Sequence, residues 1–215
     1  MKKMSMSPIW LRVRRCAINL LEDRSGIAAT EFAVIVPVML VMFFGTLEFS
    51  SGVAVDRKIT LVARTLSDLT SQSSTSVADA DLQNFFAASS SILTPYSVSP
   101  TQPTISEIYV DASKIAKIQW SKSATIALVA GAPKATLQNS NRKKGDIVTI
   151  PLALAVPGTY LIWSEVDYRY VPTIGYVMAK AGVPLHDEVF TRPRQNTCVD
   201  YPAVVPPAVP CTPVP

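Results

Sequence analysis

Between Phe32 and Leu47 the chain carries sixteen residues in a row without a charged side chain, "FAVIVPVMLVMFFGTL". Counted from Ile27 the apolar stretch is about 21 residues, which as a helix rising ~1.5 Å per residue reaches ~31 Å, the thickness of a bilayer core. A stretch of that length predicts one membrane-spanning helix. A secretory signal peptide is the alternative, but its apolar core runs only ~7–15 residues and ends in a small-residue cleavage site. Here Glu48, Phe49 and Ser50 follow instead.

Charge gives the span a direction. Lys2, Lys3, Arg12, Arg14, Arg15 and Arg24 precede it against Glu22 and Asp23, so the leader alone accounts for the net charge of +4 of the whole chain. Fewer bases, Arg57, Lys58 and Arg64, follow closely. The imbalance predicts a cytoplasmic amino terminus and an exported carboxy-terminal domain, that is, a single-pass membrane protein. The remainder of the chain is neutral, which argues against a nucleic-acid partner; Arg142-Lys143-Lys144 beside Gly145 reads as a solvated turn. The expected parts are a basic leader over 1–26, a span over 27–48, an amphipathic continuation over 49–72, a domain over 73–200 and a proline-rich tail over 201–215. Membrane lipid is the first expected partner.

Cys16 falls on the cytoplasmic side, whereas Cys198 and Cys211 fall together in the exported tail, where oxidising conditions let a disulfide persist. That topology predicts one pair, Cys198 with Cys211, with two free tail thiols as the alternative. Closing a loop of this size restricts the unfolded chain by roughly 3 kcal/mol.

Glu31 is the anomaly, because a carboxylate near the start of an apolar span is costly in lipid and is a functional candidate by default. It either sits at headgroup level in the first turn, where the helix dipole favours an anion, or meets a positive partner. Pro37 removes one helical hydrogen bond and crowds the carbonyl of Ala33, which predicts a kink. Gly45 and Gly52 permit close helix approach, although their spacing is not GxxxG.

The basic leader, Gly26, then Glu31 and Phe32, the apolar helix with Pro37, and "EFSSGVAVDRKITLVARTLSDLTSQ" together resemble the TadE/TadG family of pilin-like (pseudopilin) proteins of tight-adherence (Flp) pilus systems. The resemblance is strongest over 24–72, with weaker similarity in "VDYRYVP" and "TRPR". It implies a processing site between Gly26 and Ile27, cut by a prepilin peptidase. Cleavage would leave a free amine at Ile27, which Glu31 of the same or an adjoining subunit could neutralise within lipid. Major Flp prepilins have tyrosine after the glutamate where this chain has Phe32, and their globular part is far shorter. The resemblance therefore implies a minor subunit held in the bacterial inner membrane with its domain in the periplasm, and other pilin-like subunits and the pilus assembly platform as partners; no cofactor is expected.

Beyond the span, Ile59, Val62, Ala63, Leu66 and Leu69 recur at helical spacing while Asp56, Arg57, Lys58, Arg64 and Asp68 take other faces, predicting a continuous helix to about Ser71. That apolar stripe reads as core of the exported domain. After "SQSSTSVADA" a second helix is expected from Asp81 to Leu93, then a loop through "TPYSVSPTQPT". Alternation of period two predicts strands in "SEIYVDA", "KIAKIQWSK", "GDIVTIPLAL", "GTYLIWSEVDYRYV" and "DEVFTRPR". In the longest, Tyr160, Ile162, Val166, Tyr168 and Tyr170 share one face, and Trp163, Glu165, Asp167 and Arg169 the other. Helices followed by antiparallel strands make an α+β domain, the plan also seen in pilin-like proteins.

Enzymatic readings find little. His186 in "PLHDEVF" is the sole histidine, and no GxSxG elbow accompanies it. No His/Cys spacing matches a zinc pattern, bridged cysteines cannot ligate as thiolates, and no P-loop or dinucleotide fingerprint occurs. Glu165, Asp167, Asp187 and Glu188 would form a calcium cluster only if folding gathered them, and read as solvated charges. Three functions follow: a structural minor pilin-like subunit, with roles in pilus assembly and cell adhesion; a single-pass anchored periplasmic binding or accessory protein outside any pilus; and an anchored hydrolase using His186. The first, non-enzymatic, is the expectation.

Overall fold

The computed structural model describes residues 16, 19, 25–172, 182–202 and 211–213. The leader, apart from two residues, and most of the tail expected over 201–215 lie outside the described residues. The chain divides into two units, Met1–Leu47 and Glu48–Pro215.

The first helix, α1, runs from Ser25 to Ser71 as one 47-residue element with Pro37 inside it. Among the described residues it is the one helix long and apolar enough to cross a membrane. Up to Leu47 its apolar side chains are uncovered: Phe32, Val34, Val38, Val41, Met42 and Phe43 are all exposed. From Val55 onward the same helix buries Ile59, Val62, Ala63 and Leu66 completely, the 3.6-residue stripe of the sequence. Lys58, on the flank, turns inward enough for its Nζ to donate to the carbonyls of Ile92 (2.7 Å) and Thr94 (2.9 Å), and so fastens the end of the second helical segment.

That segment, α2, spans Asp79–Ser90 and tightens into a 3-10 turn at Ser91–Leu93, two residues earlier at its start than expected because Asp81 accepts a hydrogen bond from the Ala78 N–H at 3.0 Å and caps it. Six strands follow: β1 Thr101–Val110, β2 Ala116–Val129, β3 Ala132–Asn139, β4 Ile147–Val148, β5 Thr159–Tyr170 and β6 Val183–Thr191. They form one antiparallel sheet in the order β3-β2-β1-β5-β6, with β4 a short partner of β2. The α+β plan expected from the sequence is the one observed.

Three strands differ from expectation. β1 begins at Thr101, inside the stretch read as a proline loop; its ladder with β2 starts only at Thr104, and the Ser123 hydroxyl donates to the Pro103 carbonyl at 3.0 Å instead. β3 was hidden by its composition, yet Ala130 (φ 51°) and Gly131 (φ 82°) make the two-residue left-handed turn that joins it to β2 as a hairpin. "GDIVTIPLAL" is no long strand: only Ile147–Val148 pair, and Leu152–Leu154 form a 3-10 turn after Pro151. Its alternation serves packing instead, since Val148, Ile150 and Leu154 cover an apolar cluster on the outer face of the sheet.

The main core lies between helices and the inner face. Leu66, Leu82, Phe86 and Leu93 meet Ile105, Trp120, Ile126, Ile162, Val166, Tyr168 and Tyr170, all buried. The even positions of β5 face the helices and the odd positions face outward, as the alternation predicts. A second cluster of Ile108, Val110, Ile118, Leu161 and Trp163 occupies one end of the outer face.

The chain end then returns over the inner side. The Arg194 N–H donates to the Ser71 carbonyl at 2.8 Å, and Asp200 forms a parallel bridge with Ser76, exchanging Val77 N–H to Asp200 carbonyl (2.9 Å) and Asp200 N–H to Thr75 carbonyl (2.9 Å). Cys198 and Cys211 are bridged, and the Tyr160 hydroxyl donates to the Cys211 carbonyl at 2.9 Å. Burial, with the Glu107 charge second, pushes that phenol up to about 12, so it stays a donor throughout the ordinary pH range. Reducing the bridge, or Cys198→Ser, is expected to lower the stability of the domain by ~2–3 kcal/mol on the loop-entropy scale. Denaturant melts with and without reductant check this; coincident midpoints would contradict it.

Candidate functional site

The candidate site of the first unit is the bare apolar surface of α1 around Glu31. Ile27 is 54% exposed and Phe32 69%, so neither is covered by the described residues. Thr30 turns its hydroxyl back onto the Ile27 carbonyl at 2.8 Å, which satisfies a polar group within the helix itself. Thr46 does the same with Met42 at 2.8 Å. Glu31 differs: it has no hydrogen-bond or ion-pair partner among the described residues, and it lines a shallow open notch with Thr30, Val34 and Ile35. An acid placed so can neutralise a cation brought to it from outside the chain. Gly26 and Ile27 lie on the same helix, about one turn before Glu31.

The second unit distributes its own candidates. The four acids named above do not converge. Glu165 is buried against Arg142, Asp167 pairs with His186 Nδ1 at 2.8 Å, Asp187 accepts from the Thr60 hydroxyl, and Glu188 accepts from the Trp163 indole N–H at 3.0 Å. Each carboxylate is drawn to a different neighbour, so folding does not gather a calcium cluster from them. His186 and Asp167 sit opposite one another on β6 and β5, both more than half exposed, on the open face of the sheet. Cys198, Asp200 and Cys211 approach one another closely enough to hold a metal, but the two sulfurs are committed to their bond, which leaves one carboxylate.

Sequence reasoning missed two groups. Arg142, read as part of a solvated turn, forms a two-pronged pair with Glu165 (2.5 and 3.2 Å) and lies 4.5 Å over the Trp163 ring. Only Lys143-Lys144-Gly145-Asp146 makes the turn, closed by the Asp146 N–H on the Lys143 carbonyl at 3.0 Å. Glu107 is the other: it is fully buried on β1, and its Oε1 accepts from the Val199 N–H at 2.6 Å while the Val199 carbonyl takes the Trp120 indole N–H at 2.6 Å. Burial raises its pKa to about 8 against the lowering effect of the Val199 bond, and the charge of Asp200 adds to the rise. The signal in the sequence was an acid at an inward position of an alternating strand.

No curated protein and no solved structure matches the chain. A family model described as TadE-like protein matches residues 26–66. The match begins at Gly26, takes in Glu31 and the bare helix surface, and ends at the buried Leu66, so the segment that carries the candidate site is TadE-like.

Proposed function

We propose that the protein is a structural, non-enzymatic minor pilin-like subunit associated with a tight-adherence (Tad) pilus, anchored in the inner membrane by α1 before assembly, with its sheet domain in the periplasm. The observation that carries this reading is Glu31: an acid with no partner among the described residues, on an apolar helix surface that they leave exposed, within the TadE-like segment. Cleavage between Gly26 and Ile27 by a prepilin peptidase supplies the missing cation, because the new amine at Ile27 is one that Glu31 of the same or an adjoining subunit can neutralise in lipid. Phe32 gives the adjoining subunit an apolar ring with no hydroxyl to satisfy, and Pro37 supplies a local bend for packing among helices. The exposed row from Val34 to Phe43 is then covered by lipid before assembly and by other helices after it.

Glu31→Leu is expected to give a membrane-inserted protein with an unaltered domain melt that no longer supports piliation, while Glu31→Asp retains part of the function. Pilus counts in a strain carrying each variant, together with the amino-terminal residue of the protein recovered from membranes, check both halves. Normal piliation of Glu31→Leu, or a chain that still begins at Met1 in piliated cells, refutes the reading.

A further inference from the structure

The outer face of the sheet has an apolar end and a polar end, and the polar end is hollow. There a concavity of about 400 Å³ opens over β1, β2, β3 and β5, within the range of small-ligand sites. Strand register lines up its floor: Gln138 lies opposite Ser123, Ser123 opposite Thr104, and Thr104 opposite Glu165, one row across four strands. Gln102, opposite Asp167, begins the next row.

The floor and wall are held by the chain's own bonds. Thr104 donates to the Ser123 hydroxyl at 3.1 Å. The wall is the segment after β3, where the Ser140 hydroxyl donates to that of Ser121 at 2.6 Å and the Arg142 N–H donates to the Ser140 oxygen at 2.9 Å. The guanidinium of Arg142 is spent on Glu165 and stacked on Trp163, and Asp167 is engaged by His186. By contrast, the side chains of Gln102, Thr125, Gln138 and Asn141 are exposed and form no hydrogen bond among the described residues. Four polar groups thus stand around a roomy hollow with no partner among the described residues.

We propose that this hollow binds a short stretch of an uncharged saccharide. Each free amide offers a donor and an acceptor side by side, the complement of vicinal sugar hydroxyls that both donate and accept. Anions are disfavoured because the guanidinium of the site is already paired and Asp167 faces the opening, and an uncharged ligand leaves both ion pairs, Arg142 with Glu165 and His186 with Asp167, intact. A peptide would need pockets for apolar side chains or a free strand edge, and the floor is the face of the sheet, paved with hydroxyls and amides. The bonded floor groups Thr104 and Ser123 lose little side-chain freedom on binding, whereas the exposed amides of Gln102, Gln138 and Asn141 must be ordered, which keeps the affinity weak. The site lies wholly in the second unit and does not depend on the fate of Gly26 or Glu31.

The test uses the full chain in lipid nanodiscs, free of glucoside and maltoside detergents whose head groups would compete, with glutamine and asparagine side chains labelled with ¹⁵N. Maltotriose, cellotriose and tri-N-acetylchitotriose are titrated separately to about 10 mM, where an affinity of ~1 mM is nearly saturated. The expected result is that at least one of them shifts the side-chain amide signals of Gln102, Gln138 and Asn141 in a saturable way. The double variant Gln102→Ala/Gln138→Ala, at exposed positions whose loss leaves the melt unchanged, weakens that binding at least about tenfold. Absence of any shift with all three sugars overturns the proposal. So does binding that survives in the double variant, or tighter binding of inorganic phosphate or trialanine at the same signals.

Discussion

Raising the pH from 5 to 8 is expected to destabilise the sheet domain, and Glu107→Gln to abolish most of that dependence. Glu107 titrates near pH 8 in the folded chain against an ordinary value of 4.5. Between those values the unfolded chain releases the proton while the folded chain keeps it, so stability falls by ~1.4 kcal/mol for each pH unit in the window. Below 4.5 both states are protonated and above 8 both are ionised, and the contribution is flat on either side. The whole window is worth roughly 5 kcal/mol, a large part of the stability of a domain this size. The physical source is that Glu107 is fully buried and, among the described residues, only one of its oxygens, Oε1, has a hydrogen-bond donor, at Val199. Glutamine keeps a carbonyl oxygen for the Val199 N–H and has no charge to desolvate. Thermal midpoints of both proteins followed by circular dichroism across pH 5–8 decide it. The wild type should lose several degrees relative to the variant; parallel curves would show that Glu107 ionises normally.

The same substitution made twice on α1 is expected to have opposite consequences. Leu66→Ala should cost the domain ~2–5 kcal/mol, because Leu66 is fully buried among Ile59, Leu82 and Phe86 and its removal leaves a cavity the rigid sheet cannot close. Leu40→Ala should leave the domain melt within ~0.5 kcal/mol, since Leu40 is 48% exposed and lies in the other unit. Under the proposed pilin-like role, the effect of Leu40→Ala should appear in piliation instead, through the helix surface that this role assigns to contact with other subunits. Unfolding titrations of the two variants in the same detergent separate the roles. A destabilised Leu40→Ala domain, or an unaffected Leu66→Ala domain, would contradict this division of the helix.

Within one helix, then, two leucines of equal hydrophobicity do unlike things, and their neighbours in the sequence already show why. Around Leu40 nearly every residue is apolar, a pattern without a polar face that only lipid or other helices can cover; around Leu66, charged residues interrupt the stripe at helical spacing, a pattern that buries one side. The length of α1, the division of its surface, the alternation of β5 with its aromatic inner face and the oddity of Glu31 were therefore legible, because each depends on residues near one another in the chain. The α+β class followed from their order.

What needed the tertiary structure are the pairings between distant residues. Nothing near Arg142 in sequence says that Glu165, on β5, will bind it, and nothing near Glu107 says that Val199 will return to donate to its carboxyl. β3 was illegible because its small and polar residues gain strand structure from the ladder with β2 and not from their own propensity. The converse holds for "GDIVTIPLAL", whose alternation matched a strand but whose apolar residues found a cluster on the sheet surface to cover. The polar hollow belongs to the same class: its four unused side chains come from three separate places in the chain, and only the register of the sheet brings them to one opening. Local pattern determines which face of an element is apolar. Which elements meet, and hence which polar groups are left facing one another, is decided by packing over the whole domain.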